Sequence, residues 1–214
     1  MNAPQSAVGE VLALRSGEIA ARRAVAEEIS AQHGPNYADT DVSPTDAFDL
    51  PRVFEALGIQ PGEWRYMVVF TSVRKIDSDD ETLTIVDEAA YQEADTQVEG
   101  GLEFYFRGEA VDRKARSYCI WLSRAQAGAA STKPKHIEAV AQAPLNYEPP
   151  EDGKSWAAGY WAFMTEDGRV ILLRPGEMDA VSNAQVEAID RHALADIRAK
   201  RELLGAAATK HTVE

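Results

Sequence analysis

The sequence predicts an α+β protein, and three observations carry that reading. Residues 66–74 form a run of aromatic and β-branched types without Gly or Pro. Two further pairs of strand-like runs are each joined by a turn signal, and the stretches between and around all of these repeat their apolar residues at helical spacing.

In chain order, residues 8–32 place Val11, Leu12, Ile19 and Ile29 at helical intervals, and His33-Gly34-Pro35 stops the run. The stripe is thin and Ala-rich, which predicts an arm laid along another surface rather than a core of its own. Residues 35–44 read as a polar connector, and 48–57 as a short helix closed by Gly58. Pro61-Gly62 turns the chain into the strand at 66–74. After the acidic turn 77–81, Leu83, Val86, Ala90 and Ala94 share one face of a helix over 83–94. Gly100-Gly101 ends that segment. Residues 102–106 alternate at period two, and with 116–122 they predict a hairpin.

Ser123 is placed to cap a helix through Ala130, and Pro134 to restart one through Gln142, which predicts a broken helix. Residues 146–154 read as a loop. Strands over 159–164 and 169–174 flank Glu166-Asp167-Gly168, a tight-hairpin signal. Ser182 and Gln185 fit a capping box, and Val186, Ile189, Ala193, Ile197 and Leu204 repeat helically up to Gly205. The organisation expected is an N-terminal helical arm and connector over 1–60, an α+β domain over 65–175, a C-terminal amphipathic helix over 182–205 and a mobile tail over 206–214.

The central order of strand, helix, strand, strand, helix, strand is that of a ferredoxin-like βαββαβ unit. Both helices would cover one sheet face. The aromatic side chains leave no polar face to expose, so the other face predicts a second copy and hence a homodimer.

Over 214 residues, 35 acidic side chains outnumber 22 basic ones, for a net charge of -13. Such a surface argues against nucleic acid and against anionic membranes. Cys119 is the only cysteine, which excludes an intramolecular disulfide and a multi-cysteine metal site and points to a reducing compartment. No secretory leader and no apolar run of about 20 residues is evident, so a cytoplasmic location is expected. The sequence carries no Gly-rich dinucleotide fingerprint, phosphate loop, His-Glu-x-x-His helix or Gly-x-Ser-x-Gly elbow, so no cofactor is expected. His192 and Asp196 share a helix face, but without a third ligand they read as a solvated pair rather than a metal site.

The segment Cys119-Ile120-Trp121-Leu122-Ser123-Arg124, followed by an Ala-rich helix and Lys133-Pro134-Lys135-His136, resembles the strand-to-helix region of antibiotic-biosynthesis-monooxygenase-type domains. The resemblance covers residues 65–165 and implies a dimeric α+β barrel with a ligand cleft between sheet and helices. It also implies cofactor-independent monooxygenase-like or isomerase- and cyclase-like chemistry. Trp121 and His136 match the motif. The haem-degrading members carry an Asn on the first strand, and residues 66–74 contain none.

The residues themselves suggest one mechanism. His136 is the only histidine between 65 and 175 and is a candidate general base for an acidic phenol or enol. Arg116, or Arg107, would stabilise the resulting anion, while Tyr105, Tyr118 and Trp121 would stack on an aromatic substrate. Set against this, a His after a Pro at a helix start also reads as a surface group, and strand aromatics at period two also read as core. Cys119 reads as a buried, inert thiol. The rival function is a noncatalytic scaffold or assembly subunit whose two helical arms embrace a neighbour.

Overall fold

The computed structural model of the chain describes residues 5–97, 99–150 and 155–211. It is a mixed α+β protein. Its five-stranded sheet is antiparallel throughout, in the order β2-β3-β1-β4-β5. The strands are β1 (Trp64–Val73), β2 (Leu102–Arg107), β3 (Lys114–Trp121), β4 (Ala157–Met164) and β5 (Val170–Leu173). Seven α-helices are found among the described residues. These are α1 (Gln5–Ala31), α2 (Pro44–Ala47), α3 (Leu50–Leu57), α4 (Asp80–Thr96), α5 (Arg124–Ser131), α6 (Pro134–Asn146) and α7 (Ala180–His211).

Alternation along the strands divides the sheet into two faces with different covers. Met67, Val69, Phe104, Phe106, Tyr118, Ile120, Ala162 and Met164 point to one face and join Ala26, Ile29, Tyr37, Phe48, Leu50, Val53 and Phe54 in the largest core cluster. That face is therefore covered by α1, the connector and α3. This corrects the expectation that burying this face needs a second copy. Residues between 26 and 59 fill the face assigned to a second copy, so a homodimer would have to form through a different surface.

The opposite face is covered in two halves. Trp64, Trp161 and Phe163 pack under Met178, Val186 and Ile189, while Leu102 and Trp121 pack under Ala94 and Ala130. Over the remaining part of this face, between the strand surface and helices α4 and α6, lies a cavity.

The local signals explain most element ends. Asp79 caps α4 by accepting from the Thr82 backbone N–H at 2.9 Å, and Ser123 caps α5 by accepting from Gln126 N–H at 3.2 Å. Gly58 closes α3 with φ 79°, and Gly168 turns the β4–β5 hairpin with φ 77°. The last helix differs from expectation. Asp179, not Ser182, supplies its cap by accepting from Ser182 N–H at 2.7 Å. Gln185 instead accepts the Trp64 indole N–H at 3.0 Å, and the helix continues past Gly205 to His211. Helix α6 likewise runs beyond Gln142 to Asn146, with Pro144 in its last turn. Of the loop expected over 146–154, residues 151–154 lie outside the described residues, as do 212–214 of the expected tail.

Candidate functional site

The cavity has a volume of about 320 Å³. That is within the roughly 300–1,000 Å³ of small-molecule sites. Its floor is the strand surface at Val68, Phe70 and Cys119, and its walls are Leu83, Val86 and Ala90 of α4 and Ala139, Val140 and Ala143 of α6. The side chains that α6 turns to the floor, Ala139, Val140 and Ala143, are small and leave room above it.

One end of the cavity is polar. Asp87 stands on the same helix stripe as Leu83 and Ala90, and the Tyr105 hydroxyl donates to both of its oxygens at 2.7 Å. Arg107 approaches the same carboxylate at 3.6 Å and donates to the Thr84 hydroxyl at 2.9 Å. Burial pushes the Asp87 carboxyl above its ordinary value, while the Tyr105 hydrogen bond and the Arg107 charge oppose that shift. The Tyr105 phenol is raised far above its usual range by burial and by the adjoining carboxylate, so it remains a donor.

His136 lines the cavity from the first turn of α6. Burial lowers its pKa below 6.5, although Glu93 and Asp87 pull the other way, so the imidazole is neutral at pH 7. Glu93 also fixes the helix end that carries it, accepting the backbone N–H groups of Lys135 at 2.8 Å and His136 at 3.3 Å. The ring is thus mounted on an anchored helix start with its basic form intact.

The other end of the cavity lies along β1. Ser72 and Arg74 line it, two residues apart and therefore on one sheet face. The Ser72 hydroxyl and the Arg74 Nε are buried and have no hydrogen-bond partner. The Arg74 Nη1 reaches the exposed Asp80 carboxylate at 2.7 Å.

The five residues singled out from sequence do not meet in one place. His136 and Tyr105 come together on the cavity, where the second arginine considered, Arg107, also lies. Arg116 and Tyr118 of β3 also contribute to the cavity lining, but their polar ends point to the α1 face. Arg116 is 3% exposed, and its guanidinium donates to the carbonyls of Asp39 at 2.6 Å and Val42 at 2.8 Å and to the Thr71 hydroxyl at 3.2 Å. The Tyr118 hydroxyl meets Ser30 Oγ at 2.6 Å. Since Ser30 donates its own hydrogen to the Ala26 carbonyl, Tyr118 is the donor of that pair. Trp121 packs with Ala94, Leu102 and Ala130 beside the cavity, and its indole N–H donates to the Cys119 sulfur at 2.9 Å. Burial pushes the Cys119 thiol up to about 11, which keeps it protonated and unreactive.

Asp87, Ser72 and Arg74 escaped the sequence reading although each left a trace. Asp87 is a charge on the apolar stripe of a helix, four residues from Leu83. Ser72 and Arg74 continue the face that Val68 and Phe70 begin. Among the described residues no three His, Cys, Asp or Glu side chains gather as a metal set, and no helix is long and apolar enough to cross a membrane.

Comparison with known proteins gives a family and little else. No curated protein matches the chain. Among solved structures it is similar to a structural-genomics protein, YJCS, at 15% identity and a TM-score of 0.35 over 44% of this chain and 95% of that one. A family model described as PB2B2.08-like matches residues 20–169, a span that holds every cavity-lining side chain. The chain belongs to the PB2B2.08-like family.

Proposed function

We propose that the protein binds and acts on a small, flat, hydrophobic molecule in the cleft between the sheet and helices α4 and α6, with His136 as general base. The observation that carries this reading is the cavity itself: apolar on floor and walls, yet holding a neutral histidine and buried polar groups at its ends. A filled core would have favoured the scaffold reading.

His136 would take a proton from an acidic C–H or O–H of the ligand, leaving the electron pair on the ligand's conjugated oxygen. Arg107, whose guanidinium lies beside Asp87, would balance that charge, since the Arg116 guanidinium is engaged by the carbonyls of Asp39 and Val42. The Tyr105–Asp87 pair supplies a further fixed dipole. The proton then returns from the imidazolium to the isomerised product or to water. The same deprotonation opens both isomerase-like and cofactor-independent oxygenase-like chemistry. The element order and the order β2-β3-β1-β4 support a ferredoxin-like unit extended by β5 and α7.

The test begins with a panel of small aromatic ketones, phenols and acids scored by thermal shift. Compounds that bind are then incubated with the protein in heavy water, and exchange of their carbon-bound hydrogens is followed by NMR. His136→Ala is expected to slow exchange by about a hundredfold or more while binding persists. Unchanged exchange in that variant would remove His136 from the chemistry.

A further inference from the structure

The two ends of the cavity differ in a way that specifies the ligand. Tyr105, Cys119 and Val68 lie on one rung of the sheet, since Tyr105 pairs with Cys119 and Cys119 with Val68. Ser72 sits four residues further along β1, opposite Ala115. At about 3.3 Å per residue, roughly 13 Å of strand separates the rungs. Between them the floor is apolar, at Phe70 and Ala157.

At the Tyr105 end the donors and acceptors satisfy one another: the phenol is engaged by Asp87, and Asp87 by Arg107. At the Ser72 end they do not. Ser72 is 4% exposed, its hydroxyl has no partner, and the Arg74 Nε two residues on is equally unpaired. A buried donor without an acceptor costs about 1–3 kcal/mol, more when charged, so such a pair in the wall of an open cavity marks a group that is meant to arrive. Both orphans can donate, and one belongs to a guanidinium, whose planar fork suits two oxygens on one carbon.

We propose that the ligand of this cleft is a flat hydrophobic carboxylic acid, its carboxylate received by Arg74 Nε and Ser72 Oγ and its unsaturated body laid over Phe70 towards Tyr105 and His136. This deepens the function proposed above and rests on the same cleft. The Asp80 carboxylate, exposed and paired to Nη1 of the same guanidinium, competes weakly for its charge from outside. The acid would therefore bind against a partly neutralised arginine, which favours a monoanion.

The experiment is calorimetric titration of the full chain with cinnamate and with cinnamamide, which match in shape and differ in charge. Cinnamate is expected to bind at least about tenfold more tightly. Arg74→Gln should bring the two affinities together and Ser72→Ala should narrow the gap several-fold, whereas Asp80→Asn should widen it. Ser72→Ala removes only an unsatisfied hydroxyl, so it reports even where the arginine variant folds poorly. Equal binding of acid and amide, both abolished by the cavity-filling Ala139→Trp, would overturn the acid assignment and leave the cleft function standing. A preference for the acid that survives both Arg74→Gln and Ser72→Ala would overturn it as well. Binding of neither compound would count against the cleft function and this inference together.

Discussion

At the residue scale, Glu99 shows how a buried charge is held in this chain. Its side chain is 2% exposed, and its carboxylate accepts from Arg201 of α7 at 2.7 Å and from Lys133, between α5 and α6, at 3.0 Å. Burial alone would raise its pKa; the hydrogen bonds from Lys133 and Arg201 outweigh it and hold the carboxyl at about 2. The folded protein therefore keeps this charge at pH values where the unfolded chain takes up a proton. Its stabilisation is complete above about pH 4.5 and is lost as pH falls towards 2. Glu99→Gln is expected to lower stability by roughly 2 kcal/mol at pH 7 and to flatten the acid limb of urea-midpoint curves. An unaltered acid limb would show that the charge does not hold the three segments together.

At the scale of elements, α1 behaves as part of the core. Ala26, Ile29 and Ser30 are buried in it, and Arg23 donates to the carbonyls of Leu102 and Glu103 at the start of β2 at 2.7 and 2.8 Å. Deleting residues 1–31 should abolish the cooperative thermal melt followed by circular dichroism, because it uncovers Phe106 and Tyr118. A retained melt would restore the reading of α1 as an arm rather than a part of the core. That view arose because an Ala-rich stripe looks thin by side-chain volume, although small residues are what allow a helix to lie close on a sheet. The strands were easier to read. β1 follows from its run of aromatic and β-branched residues, and the β2–β3 and β4–β5 hairpins from alternation and turn residues, all of which act over a few positions. Coverage of the α1 face depends on Phe48, with Tyr37 packed on it, folding back onto Tyr118 far along the chain, and no local pattern encodes that. The site divides in the same way. His136 and Tyr105 were visible as isolated chemistry, but strand alternation alone did not say which face carries helices α4 and α6. Arg116 and Tyr118 were therefore credited to the face opposite the one they serve.

At the scale of the whole molecule, the sheet separates the largest core cluster from a half that holds an open cleft of about 320 Å³. Imperfectly packed space of that kind makes a fold responsive to hydrostatic pressure, because unfolding or local collapse eliminates it. Compression should register first in the methyl resonances of Val68, Val86 and Val140, which line the space, and last in those of Val53 and Ile120 across the sheet. High-pressure NMR would record that order, and simultaneous shifts on both sides would contradict it. An occupant of the cleft would remove most of the compressible volume. The midpoint pressure of unfolding should then rise with occupancy, together with the melting temperature, so the protein is in effect a barometer for whatever it carries.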